Sequence, residues 1–241
     1  MSDLPTAAVV IPCLNEEDAI GPCLRAIFAT IERTTLPVNI DRVIVVDNGS
    51  TDATAQVAEQ AGADVVPEPR RGYGQACLAG VQAATGADLV ILMDGDGSDH
   101  FEDVAILLAP IIENRADIVI GSRMLGNHDT GSLTPQQIFG NRIAITLFRL
   151  LYRVKLTDIG PFRVIGRDTL LQLGMREMTY GWSIEMIGRA VQAGLRLQEV
   201  PVNYRARIGG ESKVSGNVRA SLKAGYRIIG AILRTRWHSG S

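Results

Sequence analysis

Asp94, Gly95 and Asp96 carry the clearest chemical signal in this 241-residue chain. They follow an apolar run, residues 87–93, that reads as a buried strand. Side chains at i and i+2 of an extended segment project to the same side. Two hard carboxylate oxygens held in that way can bind Mg²⁺ or Mn²⁺, with substrate phosphates completing the shell. Gly95 between them lets another group approach the backbone closely. The competing reading is an Asp-Gly turn in water; the position at the end of a buried strand favours the metal.

Cations that could meet those phosphates lie later in the chain. Arg123 directly follows the apolar strand at residues 116–120, and Arg142 lies in the helix beyond a polar loop. Arg207 and Lys213 share the segment Arg207-Ile208-Gly209-Gly210-Glu211-Ser212-Lys213. Arginine suits bidentate phosphate binding and lysine acts as a point charge. For any single arginine the bland reading is a solvated surface charge. Lys213 stands out because the only other lysines are Lys155 and Lys223.

Other catalytic sets are missing from the pattern. The histidines, His100, His128 and His238, form no HExxH, and no Gly-x-Ser-x-Gly elbow occurs. The turn after the first apolar run reads Pro12-Cys13-Leu14-Asn15-Glu16-Glu17, which is neither GxGxxG nor a P-loop. Asp47 ends the second strand, so carboxylates stand at strand ends where phosphate-cradling glycines would be. Such groups can hold a metal or accept hydrogen bonds from ribose hydroxyls and base N–H groups.

The elements that must position these residues alternate. Strands are predicted at 7–11 (ended by Pro12), 42–46, 63–66, 87–93 and 116–120. Helices are predicted at 16–33, from Asp52 as a cap to about 61, and at 74–84 and 101–113. Residues 125–137 read as a loop and 138–152 as a helix. A turn at 158–161, helices near 167–173 and 183–193, a strand at 197–204 and a basic helix at 217–237 follow. Strands this apolar, alternating with helices, imply an α/β fold: a mostly parallel sheet with helices on both faces. Ligands then bind beyond the carboxyl ends of the strands.

Composition fits one globular unit: 46% hydrophobic, 21% charged, net charge −2. The small net charge conceals a polarity, with 6 Lys+Arg against 19 Asp+Glu in residues 1–120 and 18 against 7 in residues 121–241. A nucleic-acid partner is not expected, whereas anionic ligands for the second half are. The odd set Cys13, Cys23 and Cys77 predicts buried small hydrophobes in a reducing compartment. No signal peptide and no membrane-spanning run is legible, so the expected location is cytoplasmic, with attachment to the membrane face left open.

The ordered motifs Val-Ile-Pro-Cys-Leu-Asn-Glu at 10–16, Val-Asp-Asn-Gly-Ser-Thr-Asp at 46–52, Met-Asp-Gly-Asp at 93–96, Gly-Ser-Arg at 121–123 and Arg-x-x-Gly-Glu-Ser-Lys at 207–213 resemble glycosyltransferase family 2 and its GT-A fold. With Asp158-Ile159-Gly160-Pro161-Phe162 upstream, the last motif most resembles the dolichyl- or polyprenyl-phosphate mannose and glucose synthases. The resemblance implies that Pro12, Leu14, Asn15 and Glu16, together with Val46, Asp47 and Asn48, contact the nucleotide sugar. It implies that Asp94, Gly95 and Asp96 hold ribose, diphosphate and Mg²⁺ or Mn²⁺, with Asp96 the principal metal ligand. Arg123, Arg207 and Lys213 would bind donor and acceptor phosphates, and Arg142 the acceptor. This chain has Asn48 where the family usually has a second aspartate, Ser98 in place of a frequent glutamine, and Leu14 in place of a frequent tyrosine.

The expected reaction is an inverting transfer of a hexose from a GDP-mannose- or UDP-glucose-type donor to a polyprenyl or dolichyl phosphate. Asp96 and Arg123 would act on the leaving group. A phosphate acceptor is largely ionised at neutral pH, since its second pKa is about 6. A saccharide hydroxyl acceptor would instead need a carboxylate base, for which Glu185 is the candidate; its other reading is a favourable acid in a first helical turn. A sugar nucleotidyltransferase or a non-catalytic nucleotide-sugar binding protein are the remaining alternatives. Residues 1–216 are expected to form one domain. Residues 217–241 form a basic amphipathic segment suited either to an anionic bilayer or to packing on the sheet.

Overall fold

The computed structural model describes residues 4–209 and residue 230. Seven strands form one sheet in the order β3-β2-β1-β4-β6-β5-β7. They are β1 (Thr6–Cys13), β2 (Asn39–Asp47), β3 (Asp64–Pro67), β4 (Leu89–Leu92), β5 (Ile118–Ser122), β6 (Arg163–Gly166) and β7 (Leu197–Pro201). The helices are α1 (Glu17–Arg33), α2 (Thr54–Gln60), α3 (Tyr73–Ala83), α4 (Val104–Ile112), α5 (Pro135–Leu151), α6 (Arg167–Gln172) and α7 (Trp182–Gln192). All strand pairs are parallel except those of β6, which runs antiparallel to both β4 and β5.

The central strands are apolar on both sides because both faces are covered. One face packs Ile20, Leu24 and Ile27 of α1 and Leu107 and Leu108 of α4 over Val9, Ile11 and Ile91. The other packs Ala76 and Val81 of α3, Phe148 of α5 and Ile187 of α7 over Val10, Ile44 and Val90. Cys13, Cys23 and Cys77 are buried within these layers, as expected of small hydrophobes.

Two expectations are corrected. Pro12 does not end the first strand: it lies inside β1, in register with Val46. A proline is tolerated there because β4 ends at Leu92, in register with Val10, so the last part of β1 pairs only with β2. The turn expected at 158–161 leads directly into β6, which went unread because it is four residues long and begins with an arginine. Arg163 is wholly buried; its Nε donates to Gly160 O at 2.7 Å and Nη1 to Ser183 O at 2.8 Å, and burial pushes the guanidinium down to about 10.

Between β1 and β4 the strand order reverses direction, the place where open α/β sheets bind ligands.

Candidate active site

A cleft of about 580 Å³ opens at this reversal, a size suited to a cofactor- or nucleotide-sized ligand. One wall is acidic. Pro12 comes from the last part of β1, Leu14 and Glu16 from the β1–α1 turn, Asn48 from just after β2, and Asp94, Gly95 and Asp96 from just after β4. The other wall is cationic or neutral: Arg123 after β5, Gln137 in α5, Thr179 and Tyr180 before α7, and Tyr204 after β7. Cys13 of β1, Arg71 and Gly72 before α3, Tyr73 and Ala76 in α3, and Arg207 from the segment after β7 complete the lining.

Asp94 accepts a hydrogen bond from Tyr73 Oη at 3.0 Å. Burial, then the neighbouring Asp96 charge, pushes its carboxyl up to about 7, against the opposing hydrogen bond from Tyr73. Asp99, buried behind it, accepts from Asp94 N at 3.2 Å and is held well above the usual carboxylate range by burial and by the charges of Asp94 and Asp96. Arg207 Nη2 lies 3.1 Å from Glu16 and 3.6 Å from Asp96. Asp94 and Asp96, with their charges crowded at one strand end, favour a cation between them. Among the described residues no group of three or more His, Cys, Asp or Glu is arranged to hold a metal. Asp94 and Asp96 therefore fit a hard divalent ion that takes the rest of its oxygens from phosphates and water, as Mg²⁺ commonly does. Gly95 is required for a reason other than ligand approach: a Cβ there would overlap Cys13 Sγ and crowd Ile11.

On the other wall, Arg123 is clamped by Asp158. Its Nε and Nη2 donate to the two carboxylate oxygens at 2.7 and 2.8 Å, and its backbone N donates at 2.9 Å. The guanidinium also lies over the Tyr204 ring, 5.0 Å from its centroid. Burial alone would weaken the Arg123 charge, but the hydrogen bonds and pairing with Asp158 hold it firmly protonated. Asp158 is fixed in turn: Glu199 of β7 accepts from the backbone N of Thr157 and of Asp158, and Asn141 of α5 accepts from Ile159 N.

The structure separates the sequence candidates. Pro12, Leu14, Glu16, Asn48, Asp94, Gly95, Asp96, Arg123 and Arg207 line the cleft. Asn15, Val46 and Asp47 are not among its lining residues. Asn15 ties the turn to the 50–51 loop by accepting from Thr51 N at 2.8 Å, with a left-handed φ of 51°. Val46 is core, and Asp47 accepts from Ser50 N. Asn48 reaches the cleft, but its amide is engaged: Nδ2 donates to Glu68 O and Arg70 O, and Oδ1 accepts from Gly72 N. Asparagine in place of the usual aspartate thus stitches the loop before α3.

Arg142 is exposed on α5 and is not brought to the cleft. Glu185, the candidate base, is not brought to the cleft. It is 4% exposed, lies outside the cleft lining, and accepts from Arg176 N, Glu177 N and Arg189 Nε. Its work is to hold the loop that carries Thr179 and Tyr180. Lys213 and the basic segment 217–241 lie outside the described residues, apart from residue 230.

Sequence reasoning missed Tyr73, Gln137, Thr179, Tyr180 and Tyr204. The glycine before Tyr73 is the one sequence cue: Gly72 has a φ of 149°, and a Cβ there would overlap Met178 O, so the position admits no side chain.

Comparison with known proteins agrees with this geometry. The profile "Glycosyl transferase family 2" matches residues 8–174. An uncharacterized glycosyltransferase of Mycobacterium tuberculosis is 41% identical over 90% of this chain and 93% of its own. The low-salt glycan biosynthesis hexosyltransferase Agl6 of Haloferax volcanii is 31% identical over 85% of this chain and 49% of its own. Among solved structures, glucosyl-3-phosphoglycerate synthase of M. tuberculosis, in complex with Mn²⁺ and UDP-glucose, is similar with a TM-score of 0.73 at 23% identity, over 96% of this chain and 79% of that one. Mannosyl-3-phosphoglycerate synthase of Rubrobacter xylanophilus is similar with a TM-score of 0.75 at 23% identity, over 98% and 75%.

Proposed function

Since the chain belongs to glycosyl transferase family 2, with a GT-A fold, we propose that it moves a hexose from a nucleoside-diphosphate sugar to a polyprenyl phosphate, with inversion at the anomeric carbon. One observation carries the choice of acceptor. Among the described lining residues every carboxylate, Glu16, Asp94 and Asp96, is on the acidic wall. The wall of Arg123, Gln137, Thr179, Tyr180 and Tyr204 offers hydrogen-bond donors and a fixed positive charge but no carboxylate base. A hydroxyl acceptor needs such a base, whereas a phosphate monoester is already largely ionised at neutral pH.

The roles follow from position. Pro12, Leu14 and Asn48 form the nucleoside end. Asp94 and Asp96 hold Mg²⁺ or Mn²⁺, which when bound offsets charge on the departing diphosphate. Tyr73 keeps one Asp94 oxygen oriented. Arg207, beside Asp96, supplies a guanidinium to the same phosphates, and Arg123, which Asp158 and Tyr204 keep from turning, presents its charge to the incoming phosphate. Preorganised donors of this kind lower the barrier because they need not reorient as charge develops. Residues 1–216 form the transferase unit and 217–241 an appended basic segment.

The second reading, a phosphorylated small acid as acceptor, draws on the phosphoglycerate synthases of similar fold. A donor panel of UDP-glucose and GDP-mannose with Mn²⁺ or Mg²⁺ separates the two. Sugar transfer to a short polyprenyl phosphate is the expected result. Transfer only to 3-phosphoglycerate, or only to a saccharide, would overturn the lipid-phosphate acceptor.

A further inference from the structure

We propose that the outer face of α5 docks the enzyme on an anionic lipid bilayer, an inference that rests on the lipid-phosphate reading above. α5 has two distinct faces. Ala144 and Phe148 are buried against the sheet, and Gln137 on the inner side reaches the cleft. Phe139, Arg142, Thr146, Arg149 and Leu150 recur at steps of three or four, so they share the opposite face, and all are exposed. Phe139 at 66% and Leu150 at 71% are the most exposed large apolar side chains among the described residues. Gathered on one face and flanked by cations, such side chains are available to an interacting surface.

Charge selects the partner. From Thr130 to Thr157 the chain carries Arg142, Arg149, Arg153 and Lys155 and no carboxylate; all four cations are exposed. Arg142 and Arg149 share the face with Phe139 and Leu150, and Arg153 and Lys155 follow just beyond the helix; apolar side chains set beside such cations match the boundary of an anionic bilayer, where phosphates lie above acyl chains. A second copy of the same face would bring like charges together.

The face is also tied to the chemistry. Asn141 Nδ2 donates to Thr157 O at 3.0 Å and its Oδ1 accepts from Ile159 N at 3.1 Å. The helix is thereby joined to the loop whose Asp158 clamps Arg123. A bilayer under α5 would present a lipid-borne phosphate next to the wall that receives it.

Flotation of the full chain with phosphatidylcholine vesicles, with and without phosphatidylglycerol and with no substrate present, tests the inference. The wild type is expected to float only with the anionic vesicles and to be released by high salt. Arg149→Glu combined with Leu150→Ser should lower the partition coefficient about tenfold or more; Phe139→Ser should lower it less. Each variant should keep its melting temperature and its turnover of a water-soluble, short-chain prenyl phosphate. Flotation of the double variant equal to wild type, or no wild-type flotation with anionic vesicles, overturns the inference. So does a wild-type dimer that the double variant converts to monomer, since the face is then an interface between copies. Because vesicle binding needs no acceptor, anionic-vesicle flotation without any transfer to prenyl phosphate would overturn the proposed acceptor alone.

Discussion

The acidic wall of the cleft grows straight out of the parallel half of the sheet: within two residues of their ends, β1, β2 and β4 each lead into a residue that lines it. The other wall is assembled from segments that follow β5, precede α7 and follow β7, and is held by side chains distant in sequence. Arg123 depends on Asp158, the 157–158 turn depends on Glu199, and the 176–177 turn depends on Glu185. A strand end can place a side chain with nothing more than backbone ladders behind it. A loop needs its own network, and each member becomes a point of failure.

That contrast can be broken by substitution. The largest effect is expected at the acidic wall: Asp96→Ala should lower metal-dependent turnover by about 10³-fold, the scale of losing a principal electrostatic group. Its melting temperature should stay near wild type, because Asp96 stands at a strand end and not in the core. Undiminished release of nucleoside diphosphate would refute the metal role.

Asp158→Ala attacks the other wall and should couple function to stability. Removing one partner of a buried pair leaves the Arg123 charge uncompensated and costs about 3 kcal/mol. Denaturant unfolding should show that loss together with a fall in kcat of about 10²-fold. A loss of activity with unchanged stability would mean that Asp158 is not the clamp.

Glu185→Gln separates a bracing carboxylate from a base. A base would cost about 10²–10⁴-fold in kcat and erase the acidic limb of the pH profile. Bracing predicts about 1–2 kcal/mol of lost stability, a modest rise in acceptor KM and a pH profile of unchanged shape.

Tyr73→Phe is the mildest. The tyrosine hydrogen bond favours ionised Asp94, so its removal moves that carboxyl further above about 7. Metal binding needs the ionised form. The Mn²⁺ concentration for half-maximal activity should therefore rise about fivefold at pH 6 and much less at pH 8. An equal rise at both would place Tyr73 elsewhere in the mechanism.

What could be read from the chain and what could not divides along the same line. Periodicity, apolar strands and the residues immediately after them determined the α/β architecture, the carboxylates at the end of β4, and Arg123 at the end of β5. Each depends on neighbours in sequence, and a strand fixes direction by alternation alone. Local order also misled where tertiary context overrode it: Pro12 continues β1 because β4 has already stopped, and Arg163 sits in a buried strand because two carbonyls receive it. Only the folded molecule decided that Glu185 braces a loop, that Asn48 stitches another, and that Tyr73, Gln137, Tyr180 and Tyr204 meet in one cleft. These roles arise from contacts between segments far apart in the chain. No spacing rule encodes such contacts, because the loops that make them are positioned by what they pack against.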